Sequence, residues 1–446
     1  MRPKRTLLYA SSAFLIIGLL AACGGNNDNE GAGASSPPAS GQSSADKPFA
    51  GQTLTVYLGN LPWAEAIKPL IPEFESLTGM KVDAQSFFED QLTQKLTVQF
   101  TAGAATPDVF MHRPLQSGKL YVQNGWIEPL DDYIEQADDA YDFKDFTENS
   151  IQTATVDGKI TAIPIFVEQS ILYYRKDLLE KAGIPVPATL DELYEAAKQL
   201  HDPDNEVYGF VTRAKSNQIV NGASSFVFSS GGDFIRDGQA VVSEPAAVKG
   251  LEIEAKLLKE AGPPGVLNMA WPQAIDLFAQ GKVAFMTESN GIHTGVTDPS
   301  KSKVSDQTGF APFPAGDAGS IVQNVAPWGL AINAKSTMKE ASWAFIEWAT
   351  SREMVMTTQK FGVPGARASV WNSSDGKAGF PGELGALITE VSQSGKPYNG
   401  PNVVNVGEAR DIVGDIIAKA MNGYDIREAA EEANHKLQAL IDKENK

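Results

Sequence analysis

The segment TLTVYLGNLPWAEAIKPLIPEFESLTGMKVDAQSFFEDQLTQKLTVQFTAGAATPDVFMH, residues 53–112, alternates between the patterns of strands and helices. Its first part, residues 53–58, alternates apolar and polar side chains, which is typical of a short strand. Apolar residues at 67, 70, 71, 74 and 77 then recur at helical spacing, and Gly79 supplies a helix stop. A strand followed by an amphipathic helix is therefore predicted at the start of the folded chain.

Two more strands and a second helix are predicted directly after this unit. Residues 81–86 predict a strand, 89–100 an amphipathic helix, and 108–112 a third strand that leads into a helix near Pro114. This βαβαβ order is typical of a doubly wound α/β sheet. Ligands of such sheets bind beyond the carboxyl ends of the strands, so the loops after these strands are the places where we expect a site.

The N-terminus resembles a lipoprotein signal peptide. Arg2, Lys4 and Arg5 form a positive region, residues 7–20 form an apolar run too short for a comfortable membrane span, and small residues precede Cys23, the only cysteine. The resemblance implies a signal peptide over residues 1–22 and a diacylglycerol on the Cys23 thiol. The alternatives are an uncleaved anchor helix and an ordinary signal peptide with an incidental cysteine.

A polar segment follows the cysteine. Residues 24–48 consist mostly of Gly, Asn, Ser, Ala and Pro, and they contain too little apolar surface to offset the entropy lost on ordering. We therefore predict a lipid-anchored flexible tether over residues 23–50. Such a tether keeps a folded body close to a membrane while it works in solution.

The remaining chain is large and acidic. Of 446 residues 42% are hydrophobic, which is enough for more than one core, so two lobes are predicted. The formal net charge is −18, and removal of the three basic residues in the signal peptide leaves 34 basic residues against 55 acidic ones, a net charge of −21. This surface repels phosphate backbones and anionic lipid headgroups. We expect no nucleic-acid partner, and contact with the membrane only through the lipid anchor.

Enzyme motifs are scarce. The chain has no HExxH zinc-protease motif, no GxSxG nucleophile elbow and no phosphate-binding loop, and its four histidines, at 112, 201, 293 and 435, have no partner at ligand spacing. The acidic turn at residues 202–206 lacks the glycine and the closing glutamate of a calcium loop. We predict no catalytic residue, no metal and no cofactor. A carboxylate pair for glycoside cleavage stays open as an alternative.

Two local signals predict structure rather than chemistry. Asp157 and Gly158 lie between two β-prone runs and predict a tight hairpin turn. Thr189, followed by Glu192 three residues later, predicts a capping box that opens a helix ending near Leu200.

Six segments, in order along the chain, carry a family resemblance. They are PDV (107–109), YYRKDLL (173–179), GIPVPATLDEL (183–193), FAQGKVAFM (278–286), WGLAI (328–332) and AFIEW (344–348). From about residue 52 to residue 438 the chain thereby resembles extracellular solute-binding proteins of family 1, the carbohydrate-binding group that includes maltose-binding proteins and serves ATP-driven importers.

The resemblance implies a two-lobed α/β fold of the type II periplasmic-binding-protein kind, in which each lobe is a doubly wound sheet flanked by helices and a hinge joins the lobes. It places the first lobe at residues 51–166 and 314–364, and the second at residues 167–313 and 365–446. The chain would return to the first lobe around residues 309–314. A solute between the lobes would contact both, so binding favours the closed state.

Glu168, near the first crossing between the lobes, is the leading candidate for a ligand contact. A carboxylate beside an apolar strand is costly to bury without a partner, and a sugar hydroxyl is a suitable one. In the maltose-binding relatives an acidic residue at the matching place holds sugar. The alternative is a hinge salt bridge to Lys159 or Arg175.

Trp328 stands in the loop where relatives place an aromatic ring beneath a pyranose. The apolar CH face of a sugar stacks on an indole, which supplies a large contact area at a low entropy cost. Core packing is the alternative for Trp328. Trp343 and Trp348 lie on one helical face with other apolar residues, so we predict that both are core residues.

Further candidates come from the other loops. Arg113 follows the third strand, where relatives carry an Asp-Arg pair that binds sugar, although here the aspartate is missing. Glu89 follows the second strand and either contacts solute or caps the next helix. The remaining candidates for the cleft lining are Trp63, Asn217 with Gln218, Trp271 and Asn290.

The sequence thus predicts a lipid-anchored receptor on the extracytoplasmic face of the cell membrane. We expect it to be a monomer that captures a sugar, sugar alcohol or oligosaccharide and delivers it to the transmembrane subunits of an ABC importer. The few basic residues on the candidate loops favour a neutral ligand over an anion. The alternatives are a lipid-anchored surface glycoside hydrolase and a receptor of the same fold for a non-sugar solute.

Overall fold

The computed structural model describes residues 47–391 and 395–445. Cys23, the predicted signal peptide and residues 24–46 of the tether lie outside the described residues. The strands within them are β1 (Thr53–Gly59), β2 (Lys81–Phe87), β3 (Val109–His112), β4 (Thr155–Val156), β5 (Lys159–Ile160), β6 (Ile163–Pro164), β7 (Glu168–Arg175), β8 (Tyr208–Val211), β9 (Ile235–Arg236), β10 (Gln239–Ala240), β11 (Val283–Ser289), β12 (Thr308–Pro312), β13 (Asn324–Val325) and β14 (Gly329–Ile332).

Helices surround these strands. They are α1 (Pro62–Ile67), α2 (Ile71–Thr78), α3 (Glu89–Thr101), α4 (Lys119–Gln123), α5 (Asp131–Gln136), α6 (Glu148–Ala154), α7 (Lys176–Ala182), α8 (Leu190–Leu200), α9 (Ile219–Ser229), α10 (Pro245–Glu260), α11 (Trp271–Ala279), α12 (Thr294–Thr297), α13 (Lys339–Ala349), α14 (Arg352–Gln359), α15 (Ala368–Trp371), α16 (Ser374–Lys377), α17 (Gly382–Val391), α18 (Val406–Met421) and α19 (Ile426–Glu444). Among the described residues no helix is both long enough and apolar enough to cross a lipid bilayer.

The first lobe is built on a five-stranded sheet with the order β2-β1-β3-β14-β6. β1 pairs in parallel with β2, from Thr53 opposite Lys81 to Gly59 opposite Phe87, and it also pairs in parallel with β3. The strands predicted over residues 53–58, 81–86 and 108–112 are confirmed, as is the helix stop, because Gly79 adopts a left-handed φ of 74° after α2.

The second lobe is built on β12, β7, β11 and β8 in that order, with β13 pairing the start of β7. This sheet is mixed, because β7 runs antiparallel to both β11 and β12 while β8 and β11 run parallel. Each sheet has its own hydrophobic core, one formed around Phe74, Phe110 and Phe345 and the other around Phe210, Phe226 and Phe285. The predicted two-lobed α/β architecture is therefore confirmed.

The chain passes between the lobes at three places that lie side by side. The first connection follows β6, the second precedes β14 and the third follows α14. The Ile165 N–H donates to the Trp328 carbonyl at 3.3 Å, and the Val167 N–H donates to the Pro364 carbonyl at 2.8 Å, so the first connection is bonded to both of the others. The three connections are therefore hydrogen-bonded to one another where the chain passes between the lobes.

The second connection comes later than residues 309–314, where the sequence places it. β12 lies in the second sheet, and Phe313 and Val322 pack in the second core. Asn324 and Val325 still pair with Gln169 and Glu168 at the start of β7. Long pairing along β7 keeps this segment in the second lobe until the chain enters the first sheet at Gly329.

A fully buried arginine holds the third connection. The Arg367 guanidinium donates to the carbonyls of Tyr141, Asp142 and Thr350, at 2.8, 2.9 and 2.8 Å, and lies 4.2 Å from the ring centroid of Phe146. All of these partners belong to first-lobe segments, so the chain at Arg367 is still packed on the first lobe.

Three local predictions are also confirmed. Asp157 and Gly158 form the turn between β4 and β5, both with positive φ. Thr189 and Glu192 form a reciprocal capping box at the start of α8. Trp343 and Trp348 are 7% and 4% exposed and pack in the first core.

Candidate functional site

A cavity of about 340 Å³ lies between the lobes beside the three connections. We call it the interlobe cavity. The residues predicted from the sequence that border it are Trp63, Glu89, Arg113, Glu168, Asn217, Gln218, Trp271 and Trp328. They come from α1, the loops after β2, β3 and β6, the turn before α9, the start of α11 and the loop before β14. Loops far apart in sequence thus converge on one space.

Asn290 is the predicted residue that does not border the cavity. It is fully buried, and its side-chain amide nitrogen donates to Gln169 Oε1 while its Oδ1 accepts from the Gln169 backbone N–H at 3.1 Å. Both polar ends of the amide are therefore used inside the second lobe, next to the first connection.

The first lobe contributes a charged pair placed against an aromatic ring. Arg113 Nη1 lies 3.1 Å from Glu89 Oε2, and its guanidinium carbon is 5.3 Å from the centre of the Trp328 ring. Glu89 is the first residue of α3 and makes no cap hydrogen bond, so its carboxylate is directed at Arg113 rather than at the helix. The charge-assisted bond to Glu89 and the cation–π contact with Trp328 together hold the Arg113 guanidinium over the indole ring.

The two tryptophans of the first lobe that border the cavity are largely buried. Trp328 is 5% exposed and Trp63 is 1% exposed, and both belong to the first core as well as to the cavity wall. Both indole rings therefore pack in the first core and also line the cavity. Trp271 is half-buried at the start of α11, where it packs on the second core.

Glu168 begins β7 and reaches the cavity at the hinge. Loss of hydration raises the pKa of Glu168 to about 7; Arg213 opposes this, while Glu288 and Glu89 raise it further. Neither of the salt bridges weighed from the sequence forms, since Arg175 instead binds Asp177 at 2.6 Å. The Glu168 carboxyl therefore lies at the cavity with no cation in ion-pair contact among the residues that the structure describes.

Arg213 also borders the interlobe cavity, although it was not predicted from the sequence. It follows β8 and makes a bidentate ion pair with Glu288 on β11, with Nε–Oε2 at 2.8 Å and Nη2–Oε1 at 2.5 Å. The two side chains are 11% and 3% exposed. A pair buried this deeply holds the guanidinium in one orientation at the cavity wall.

Arg410 is the second residue that was missed. It lies on α18, is 3% exposed and borders the cavity together with Asn221 and Asn399. Burial lowers the pKa of Arg410 to about 9, with further repulsion from Arg113 and Arg213. The signal was present in the sequence, because Arg410 occupies the apolar stripe of an amphipathic helix between Ala409 and Val413.

The described part of the chain contains no group of three or more His, Cys, Asp or Glu side chains that could hold a metal ion. His112 and His293 are buried, and burial lowers their pKa values to about 3 and about 4. Both imidazoles are therefore neutral at neutral pH. Neither histidine is among the residues that border the interlobe cavity.

The chain matches the family model of bacterial extracellular solute-binding proteins over residues 62–356. It is 32% identical over 297 residues to a mannitol-binding protein of Pseudomonas aeruginosa, a match that covers 64% of this chain and 67% of that protein.

Solved structures agree with the sequence match. A solute-binding protein of an ABC transporter from Agrobacterium radiobacter, in complex with ribitol, is 28% identical and superposes with a TM-score of 0.78 over 88% of this chain and 100% of that one. A solute-binding protein from Agrobacterium vitis with bound D-mannitol is also 28% identical, with a TM-score of 0.75 over 88% of this chain and 99% of that one. From the family match, the shared two-lobed fold and the cavity between the lobes, we conclude that this chain belongs to the bacterial extracellular solute-binding proteins, the receptors of ABC importers.

Proposed function

We propose that the protein captures a neutral polyol or sugar in the interlobe cavity and delivers it to an ABC permease. The observation that carries this proposal is the charge balance of the cavity. Four basic side chains, those of Arg113, Arg213, Lys301 and Arg410, border the cavity together with four acidic ones, those of Glu89, Asp90, Glu168 and Asp276. A ligand that brings no net charge leaves this balance undisturbed, and its hydroxyls satisfy both donors and acceptors.

The content of the cavity corrects one premise of the sequence analysis. The candidate loops suggested few basic residues, yet four basic side chains, Arg113, Arg213, Arg410 and Lys301, border the cavity. The preference for a neutral ligand now rests on the equal numbers of basic and acidic side chains at the cavity rather than on a scarcity of basic ones. The ligands of the relatives, mannitol and ribitol, are neutral polyols.

The arrangement of the carboxylates supports a receptor rather than a glycoside hydrolase. Hydrolysis of a glycoside needs one carboxyl as acid and a second as base or nucleophile. Glu89 and Glu288 are held in ion pairs by Arg113 and Arg213. That leaves Glu168 as the partly buried carboxyl without an ion pair, since Asp90 and Asp276, which also border the cavity, are exposed to solvent.

A binding screen tests the proposal. D-mannitol, ribitol, erythritol and maltose would be added to the purified full-length protein, with melting temperature and calorimetric heat as the two readouts. A ligand at about a hundred times its dissociation constant stabilises the folded state by roughly 2.7 kcal/mol, so a true ligand raises the melting temperature clearly. Absence of binding by every compound, or steady consumption of one of them, would refute the proposal.

We further propose that the receptor is a monomer held on the extracytoplasmic face of the membrane by a lipid on Cys23. The proposal rests on the signal-peptide pattern that ends at Cys23. A Cys23→Ser variant should not incorporate labelled fatty acid and should partition into the aqueous phase of a detergent extraction. Labelling of that variant to the wild-type level would show that the lipid is attached elsewhere.

A further inference from the structure

One wall of the interlobe cavity presents hydrogen-bond donors. Arg410 Nη1 donates to Asn221 Oδ1 at 2.5 Å, and Arg410 Nη2 donates to the carbonyl and the Oδ1 of Asn399 at 3.1 and 2.5 Å. Because both side-chain oxygens face Arg410, the amide nitrogens of Asn221 and Asn399 point away from it and remain available as donors. All three residues border the cavity.

Arg410 itself is under-satisfied. Its Nε has no hydrogen-bond partner among the residues that the structure describes, and its three hydrogen bonds all go to neutral oxygens. Arg113 and Arg213 each have a carboxylate in ion-pair contact, whereas in residues 47–391 and 395–445 Arg410 has none. A buried cation without a counter-ion is costly, and such groups are concentrated at functional sites.

An acceptor borders the same cavity on the hinge side. Glu168 starts β7, and its Oε1 lies 3.4 Å from the position that a Cβ on Gly291 would occupy, so the carboxyl fills the space over a backbone without a side chain. The cavity therefore offers donors from α9, α18 and the segment before α18, and a carboxyl acceptor from β7. A polyol has hydroxyls that both accept and donate, so one molecule can satisfy both sides.

We propose that Arg410, Asn221 and Asn399 form a donor subsite that binds hydroxyl oxygens of a neutral polyol while Glu168 accepts a hydrogen bond from another hydroxyl of the same molecule. This inference rests on the proposed function. A carboxylate ligand would supply the counter-ion that Arg410 lacks, but it would also bring a second negative charge close to Glu168, which has no cation in ion-pair contact among the described residues. The subsite therefore selects alcohols over the corresponding acids.

The decisive variant is Asn221→Asp. It keeps an oxygen for Arg410 and turns that contact into an ion pair, so a purely structural role of Asn221 predicts equal or greater stability and unchanged affinity. A ligand-binding role predicts instead a loss of affinity of about tenfold or more, because the amide donor becomes a carboxylate acceptor. The probe is whichever of D-mannitol, ribitol and erythritol binds the wild-type full-length protein most tightly by calorimetry.

Two further variants complete the experiment. Asn434→Asp is the matched control, because Asn434 lies on α19 outside the cavity and its Oδ1 accepts from the Ser243 N–H at 3.5 Å, a bond that a carboxylate keeps. It should bind the probe like the wild type. Arg410→Lys keeps the charge but loses the guanidinium fork, and it should also lose about tenfold in affinity. If Asn221→Asp fails to fold, the affinity of Arg410→Lys for the probe tests the subsite instead.

The outcomes separate the inference from the function on which it rests. If the wild type binds a polyol and both Asn221→Asp and Arg410→Lys bind it within threefold of the wild type, the donor subsite is refuted while the receptor function stands. Tighter binding of D-mannonate than of D-mannitol by the wild type would refute the selection for alcohols. Failure of the wild type to bind any of the three polyols would refute the polyol subsite, and the receptor function would still stand if maltose binds.

Discussion

Replacement of Glu168 with glutamine should stabilise the ligand-free protein at alkaline pH and leave it nearly unchanged at acidic pH. Loss of hydration raises the pKa of Glu168 from the ordinary 4.5 to about 7 in the folded chain. Below pH 4.5 the carboxyl is protonated in both the folded and the unfolded state, so it contributes no difference between them. Between pH 4.5 and 7 the unfolded chain releases the proton while the folded chain keeps it, so stability falls as the pH rises.

The size of the effect follows from the shift. Each pKa unit corresponds to 1.36 kcal/mol, so a shift from 4.5 to about 7 lowers the wild-type free energy of unfolding by about 3 kcal/mol above pH 7 relative to pH 4. Glutamine does not ionise and avoids this loss. The stability difference between Glu168→Gln and wild type should therefore grow by about 3 kcal/mol between pH 4 and pH 8.

Urea unfolding of both proteins without ligand, at pH 4, 6 and 8, measures this difference. Glu431→Gln, which changes an exposed glutamate on α19, is the control and should show no comparable growth. A Glu168→Gln difference that is flat between pH 4 and pH 8, or that shrinks, would show that the Glu168 carboxyl is hydrated or paired with a cation in the folded protein.

Three other predictions follow from the same cavity. Trp328→Ala should lower the free energy of unfolding by about 3 kcal/mol, because the ring is buried in the first core, and it should also weaken polyol binding; wild-type affinity in the folded variant would remove Trp328 from the site. A double-mutant cycle with Arg113→Ala and Glu89→Ala should give a coupling energy of up to about 1 kcal/mol, because both side chains are partly hydrated; zero coupling at low salt would show that their contact contributes nothing. X-ray scattering should show a smaller radius of gyration when ligand is added, and an unchanged radius at saturation would indicate a receptor that is already closed.

The first lobe was the most predictable part of the fold because its information is local. The sequences of β1 and β2 alternate apolar and polar residues, and β3 is a short buried run. Gly79 ends a helix in a left-handed conformation that glycine, unlike most residues, adopts without strain. The position of the second connection depends instead on contacts between segments that are distant in sequence. It is set by how far β7 pairs with β12 and β13, and a strand of two residues such as Asn324–Val325 is too short to show an alternation of apolar and polar side chains.

Residues on loops after strands were predicted from the sequence to line the cavity, whereas Arg213 and Arg410 were not. Arg113 and Glu89 follow strands and were found by position. The sequence shows Arg410 as a charge in the apolar stripe of α18, but it does not show that Arg410 lies beside Asn221, which is nearly 200 residues away along the chain. Asn290 shows the converse limit, since the sequence could not reveal that Gln169 uses its amide.

The clamp around Arg367 has a consequence for measuring lobe motion. Asp145 accepts hydrogen bonds at 2.7 Å from both the backbone N–H and the hydroxyl of Ser369, so the third connection stays attached to the first lobe as far as Ser369. Trp371, two residues later, already packs in the second core, and its indole N–H donates to the Gly365 carbonyl at 2.7 Å. The change from first-lobe to second-lobe packing in this connection occurs within α15, between Ser369 and Trp371. Trp371, one of the seven tryptophans that act as intrinsic fluorophores, therefore lies at this boundary, and the difference in emission between the wild type and a Trp371→Phe variant should change with the angle between the lobes.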